Sequence, residues 1–238
     1  RQRQMCIRDR VSVHGPRCGY FVLQTAVPCA LYDCDEGDVA TTRIELRRDY
    51  RAVAIGPGIG TSDATLAALG EFLKIANANS RPLVLDADAL NCIAIKPDLL
   101  NHIPVMSVLT PHAGEFDRLF RRQPSSYARL LKAIDMAEKY GVIIVLKGRF
   151  TATVMPNDKV YFNPTGTPAM ATGGSGDVLT GILTAFIARG ISPELAALAA
   201  VYVHGVAGEM AAEALGTFGV TAADIADYAG RAIKSIIE

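Results

Sequence analysis

No excess of either charge marks this chain: Lys and Arg total 24, and so do Asp and Glu. Without a net field, nothing steers it toward nucleic acid or an anionic membrane, so any affinity for phosphate must be local. Cysteine is scarce and its five residues (Cys6, Cys18, Cys29, Cys34, Cys92) form neither a C-x-x-C pair nor a zinc spacing. That pattern excludes a disulfide framework and predicts reduced, mostly packed thiols in a cytoplasmic protein. No apolar run approaches the ~20 residues of a membrane span and no signal-peptide core follows the N-terminus, so a soluble chain is expected. Repeats, low-complexity tracts and dividing linkers are also missing. With half of its residues hydrophobic, the chain can bury one large core.

Residues 1–10, RQRQMCIRDR, carry charge without periodicity or interleaved aromatics and read as a disordered or foreign extension rather than a nucleic-acid arm. One domain is expected over residues 11–238. Its opening, residues 11–39, gives one short strand, the loop HGPRCGY and an irregular acidic stretch, DCDEGD, whose spacing matches no calcium loop. From Arg51 an α/β rhythm sets in. Apolar runs of strand length at 52–55, 82–85, 105–109 and 142–146 alternate with helical material at 63–76 and 127–140, the last closed by Gly141. Such runs predict a mostly parallel sheet with helices on both faces. Residues 151–155 and 159–162 read as an appended β-hairpin, and helices are expected at 177–188, 193–215 and 222–237, the last announced by Thr221 and Asp224. The middle one is almost wholly apolar or small, which makes its His204 a core residue rather than a ligand.

Polar residues gather where the strands end. Gly58, Gly60, Asp86, His112, Glu115 and Lys147 should therefore share the carboxyl rim of the sheet, where open α/β folds bind ligands. The loop from Asn163 to Gly181, NPTGTPAMATGGSGDVLTG, brings a second set. Bare glycines at 173, 174 and 176 run into a helix N-terminus, a place suited to an anion. Asp177 conflicts with that role unless it serves as a base for a substrate hydroxyl; the plainer alternative is a Gly-rich turn with a first-turn acid. Gly56–Gly60 is a weak dinucleotide fingerprint, because its spacing is G-x-G-x-G, and GGSGDV lacks the Gly-Lys-[Ser/Thr] of a Walker loop.

DADALN, LTPHAGEFDRLF, VLKGRFT and NPTGTPAMATGGSGDVLTG, in that order, resemble the ADP/ATP-dependent NAD(P)H-hydrate dehydratases of the ribokinase-like superfamily, over roughly residues 11–226. The resemblance implies a ribokinase-like fold, ADP or ATP and Mg²⁺ as cofactors, NAD(P)H hydrate as substrate, functional pairing with an NAD(P)H-hydrate epimerase, and a homo-oligomer, with a tetramer favoured. It implies that Asp177 is the catalytic base. Gly174, Ser175 and Gly176 would form the anion hole, Lys147, Gly148 and Thr151 the nucleotide-phosphate segment, and Thr167 to Gly176, Gly173 included, the adenine-nucleotide loop. Gly58, Gly60 and the stretch from His112 to Arg118 would hold the nicotinamide hydrate, and Glu115 would order a magnesium ion through water. Each of these has a plainer rival: Glu115 as a first-turn acid, Lys147 as a solvated strand end, Asp86 as a cap of the helix that follows. Two other activities fit the same pattern: a small-molecule kinase of a thiazole or hydroxymethylpyrimidine alcohol, and a nucleotide-binding relative without turnover. An NAD-dependent dehydrogenase built on Gly56–Gly60 is a third. Family members carry a further strand and helix upstream that nothing before Val11 matches, so the chain looks truncated, with an open sheet edge and an incomplete substrate side.

Overall fold

The computed structural model describes residues 10–46 and 49–238; the expected extension at 1–10 lies almost wholly outside them. Six strands form the main sheet in sequence order: β3 (Ala54–Ile55), β4 (Val84–Leu85), β5 (Val108–Leu109), β6 (Ile143–Leu146), β7 (Ala152–Val154) and β8 (Val160–Phe162). The first four run parallel and the last two turn back as the antiparallel hairpin. Both residues of β4 and of β5 are buried, as runs covered on two faces must be.

One face carries α2 (Asp63–Ala78), α3 (Ala87–Ile95), α4 (Ala113–Phe120) and α5 (Ser126–Tyr140) over a core of large side chains, among them Leu69, Phe72, Phe116 and Ile144. The other carries α6 (Ser175–Ala188), α7 (Pro193–Leu215) and α8 (Ala222–Ile237), packed through alanine and valine. Local signals set the helix ends. Ser62, Ser125 and Ser192 each accept an amide hydrogen bond as N-caps, Pro193 occupies the first turn of α7, and Gly141 closes α5 in the left-handed conformation. Thr221 and Asp224 form the expected capping box.

Three expectations need correction. Residues 11–39 are not one strand followed by irregular chain: β1 (Ser12–Gly15), α1 (Tyr20–Ala26) and β2 (Leu31–Cys34) form a parallel βαβ unit with its own two-stranded sheet. The main sheet begins at β3, whose Ala54 is exposed. The thiols are not mostly packed: of the four described, Cys18 and Cys29 are exposed, Cys34 is half-buried and only Cys92 is buried. The first three lie in the small βαβ unit, which has little core to enclose them. Burial pushes the Cys92 thiol up to about 11. Finally, α7 is long and apolar enough to cross a membrane by length and composition, and half of its most apolar stretch is buried. Here it packs against α6, α8 and β6.

The acidic stretch after β2 is also more than a solvated turn. Asp35 is 2% exposed and accepts from the amides of Gly37, Thr42 and Arg43 and from the Thr42 hydroxyl. Burial pushes its carboxyl up, but these bonds outweigh it and hold the group well below the usual carboxylate range.

Candidate active site

The ends of three strands converge on a single ammonium group. A parallel bridge between His112 and Lys147 carries the β5–β6 pairing beyond the strands proper and sets these residues side by side. Asp86 follows β4 at the N-cap position of α3, yet its side chain does not cap that helix. Oδ1 accepts from Lys147 Nζ at 2.8 Å and Oδ2 accepts from the Thr180 hydroxyl at 2.7 Å. Asp86 is 1% exposed and Thr180 3%, so this floor is dry and every acceptor on it is engaged. Glu115 Oε2 lies 3.8 Å from the same ammonium. Gly56 makes the approach possible: at φ +141° its missing Cβ would stand 1.7 Å from the Asp86 carbonyl oxygen, which only glycine allows.

Above the floor stands the N-terminus of α6. Gly174 precedes it at φ 86°, in the left-handed region, and no side chain caps it, in contrast to α2, α4, α5, α7 and α8. The Ser175 amide donates to the Thr172 carbonyl, and no side chain takes up the amides of Gly176 and Asp177. Gly173 and Gly148 have nothing within 4 Å of a built Cβ, and a Cβ on Gly176 would lie 3.2 Å from Lys147 Nζ. A phosphate could approach this lip with positive charge beneath it. Asp177, in the first turn, is exposed. Partial desolvation raises its carboxyl pKa, the nearby charges of Asp86 and Glu115 add to the rise, and Lys147 opposes it. A carboxylate made more basic this way is suited to accept a proton. Ser175 Oγ lies 3.3 Å from His204 Nε2 on α7, and burial holds that imidazole down at about 4, so it stays neutral at physiological pH. Expected in the core, His204 is half-buried and backs the glycine lip through Ser175.

Glu115 is a first-turn acid that also lies beside the Lys147 ammonium. It completes a capping box with histidine in the usual Ser/Thr place: His112 Nδ1 accepts from the Gly114 and Glu115 amides, and Glu115 Oε2 accepts from the His112 amide at 2.8 Å. Its other oxygen lies 3.4 Å from His112 Nε2. With its oxygens so engaged, and with no group of three metal-ligating side chains among the described residues, the donor set suits a magnesium ion held by phosphates and water, with Glu115 at one remove.

Flanking segments are pinned around this centre. Thr151 Oγ1 donates to the Gly148 carbonyl at 3.1 Å and fixes the turn after β6. Thr167 caps a short 3₁₀ turn, Pro168–Met170. The loop before it is bound to α7: Thr165 Oγ1 donates to the Tyr202 carbonyl and the Gly166 amide donates to Glu209 Oε1. Gly205 and Gly208 leave room for it, since a Cβ would meet Thr165 Oγ1 at 2.1 Å and Met170 Sδ at 2.3 Å respectively. Gly58 and Gly60, at φ +71° and +72°, have open space beside them. Gly60 reaches α4 through a separate set of bonds rather than joining the floor.

The structure thus brings together Asp86, His112, Glu115, Lys147, Ser175, Gly176 and Asp177. Thr180 and His204 belong with them; Thr180 was not singled out from sequence, and His204 was read there only as a core residue. For Thr180 a signal existed, because a position three residues after Asp177 lies on the same helix face. For His204 there was none, since its partner is 29 residues away on another element.

A parallel sheet covered on both faces, with an antiparallel hairpin beyond it and a glycine-lipped helix N-terminus over a strand-end lysine, defines a ribokinase-like α/β protein. Comparison with known proteins agrees. The Bacillus subtilis ADP/ATP-dependent NAD(P)H-hydrate dehydratase co-crystallised with ATP and Mg²⁺ superposes with a TM-score of 0.79 at 27% identity, over 95% of this chain and 79% of that one. A hydroxyethylthiazole kinase from Pyrococcus horikoshii shares the fold, with a TM-score of 0.67 at 18% identity, over 98% of this chain and 94% of that one. The family described as NAD(P)H-hydrate dehydratase matches residues 6–231, and the chain belongs to it. Bifunctional NAD(P)H-hydrate repair enzymes of Thermofilum pendens and Moorella thermoacetica are 36% and 37% identical over 82% and 84% of this chain. The chain spans 37% and 38% of their respective lengths.

Proposed function

We propose that the chain dehydrates hydrated NAD(P)H back to NAD(P)H at the expense of ADP or ATP. The observation that carries this reading is the placement of Asp177, a carboxyl of raised pKa, one turn into an uncapped helix N-terminus above Lys147. Asp177 takes the proton of the C6 hydroxyl as that oxygen attacks the terminal phosphorus, and the nucleotide leaves with one phosphate fewer. The amides of Gly174, Ser175 and Gly176 hold the oxygens where charge develops. Phosphate then departs with the C6–O bond electrons, the ring nitrogen supplies its lone pair, and C5 gives up a proton to leave the C5–C6 double bond. Lys147, Gly148 and Thr151 hold the nucleotide phosphates, and Thr167 to Gly173 the rest of the nucleotide. Gly58, Gly60, His112 and Glu115 bound the nicotinamide side. Magnesium, when bound, would neutralise charge on the phosphates, and Glu115 would help hold it through water.

The "bifunctional" name of the curated relatives supports pairing with an NAD(P)H-hydrate epimerase, and we place the protein in the cytoplasm as one domain from residue 11. A homo-oligomer, with four copies favoured, fits the groove of about 400 Å³ walled by Phe162, Pro164, Leu198, Tyr202 and Ile236, an apolar surface of the kind that copies cover; light scattering of the purified chain tests it. For the activity, the protein is incubated with NADH hydrate, Mg²⁺ and ADP or ATP. Return of the NADH absorbance with one phosphate released per turnover is the expected result. No return, with phosphorylation of a thiazole alcohol instead, would overturn the dehydratase in favour of a small-molecule kinase.

A further inference from the structure

Helix α6 carries the glycine lip, and two side-chain hydrogen bonds tie its first turns to the rest of the molecule. Ser175 Oγ meets His204 on α7, and the Thr180 hydroxyl donates to Asp86 Oδ2 at 2.7 Å. Among the described residues, the second is the only hydrogen bond from α6 to a strand of the sheet or to its end. Leu179, Ile182 and Leu183 pack into the core of the same face. Apolar attraction has no direction, however, and sets neither the height nor the rotation of a helix to a fraction of an ångström. Thr184, one turn on, shows the ordinary use of a helical threonine: its hydroxyl donates to the Thr180 carbonyl, four residues back, at 2.6 Å. Thr180 sends its proton to another element instead. Asp86 is a fixed target for it, since its amide donates to the Ile55 carbonyl at 3.1 Å within the sheet. One carboxylate oxygen takes Lys147 and the other takes α6. The first turn of the helix lies over this pair: a Cβ built on Gly176 would stand 3.2 Å from Lys147 Nζ and 3.8 Å from Asp86 Oδ2. Gly176 and Asp177 precede Thr180 by four and three residues and so share its face.

We infer that Thr180 is a positioning residue for the phosphoryl step: by joining α6 to the carboxylate that holds Lys147, it sets the separation between the ammonium and the first turn of the helix. Lys147 and the lip act on one group at the same moment, the ammonium on phosphate oxygens and Asp177 on the attacking hydroxyl. Their mutual distance is therefore what the transition state reads. Asp86 serves as a spacer of fixed length between them. Such constellations tolerate about 0.5 Å of misplacement, which a buried directional bond can enforce and an apolar contact cannot. The inference rests on the proposed dehydratase for the group transferred, and on geometry alone for the separation.

Thr180→Val keeps the shape and loses the hydroxyl, whereas Thr180→Ser keeps the hydroxyl. All three chains are assayed at a temperature where urea unfolding shows each to be folded. Thr180→Val should lower kcat for NADH hydrate about 10–100-fold, with KM for the hydrate and for ATP unchanged, because both ligands still bind beside a misplaced first turn. Thr180→Ser should restore kcat to near the wild-type rate. An unchanged kcat in folded Thr180→Val overturns the inference, however far the urea midpoint falls once the Asp86 oxygen is left bare. A Thr180→Ser as slow as Thr180→Val overturns it too. Should Thr180→Val not fold, Thr180→Ala carries the same measurements. Crystal structures of the three chains test the separation without any turnover. The first turn of α6 should shift relative to Lys147 by about 0.5 Å or more in Thr180→Val and keep its place in Thr180→Ser. An unmoved first turn in Thr180→Val overturns the inference whatever the chain catalyses. A shifted one, in a protein whose wild type does not turn over the hydrate, upholds the spacer while the dehydratase falls.

Discussion

The floor and the lip of this site are built on opposite terms. On the floor, Asp86, Lys147 and Thr180 are joined by hydrogen bonds of 2.7–2.8 Å in surroundings that admit almost no water. On the lip, Gly173, Gly174 and Asp177 are exposed and the helix end carries no cap. The floor spends its polar groups on one another and so fixes where Lys147 sits. The lip keeps its groups unspent, which is what a transition state can use. Rigidity beneath and unmet bonding capacity above divide stability from chemistry within a few residues of chain.

Replacing Asp177 should separate the two most sharply. Asp177→Asn is expected to lower kcat by about 10²–10⁴-fold, the ordinary worth of a positioned base, and to leave the denaturant midpoint within error. In the wild type kcat/KM should fall as pH drops through the Asp177 pKa, an acid limb shifted upward from the ordinary aspartate value; a limb that persists in the variant would assign it elsewhere. Breaking the floor should do the converse. Asp86→Ala removes the partner of a mostly buried ammonium and should cost roughly 3–5 kcal/mol of stability, read by urea unfolding.

His204 lies where lip and core meet, and pH should expose it. Its folded pKa, about 4, lies below the ~6.5 of an unfolded histidine. The unfolded chain therefore binds the extra proton, and stability that is complete above ~6.5 is lost as pH falls toward 4, by about 3 kcal/mol. His204→Asn should flatten that slope between pH 7 and 4.5. The smallest effects belong to the helix under the nucleotide loop. Gly205→Ala meets Thr165 backbone as well as its hydroxyl, whereas Gly208→Ala meets only the pliable Met170 side chain. Roughly 1–3 kcal/mol is expected for the first and less for the second, with a higher KM for ATP in Gly205→Ala.

Strand ends, glycine turns and capping residues were legible because each is a local rule: an apolar run stops, a polar residue follows, and parallel order puts those stops on one rim. Lys147, Glu115 and Asp177 were found that way. What stayed hidden depended on contact across the chain. Thr180 reaches Asp86 over 94 residues, and Asp86 could not be told from a simple cap until its two oxygens had partners. Helix α1, YFVLQTA, was missed because it has no polar face to give a period, and Phe21 and Val22 are left 78% and 71% exposed. Asp35 looked solvated because its four donors come from the loop that folds back over it.

The loop from Thr165 to Met170 rests in the two notches that Gly205 and Gly208 cut into α7, which in turn packs on α8. Any ligand that holds this loop therefore holds the far helical layer as well. By mass action a ligand at a hundred times its dissociation constant adds about 2.7 kcal/mol, and amide exchange should slow along α7 and α8, well away from the site. The longest helix becomes a gauge of occupancy.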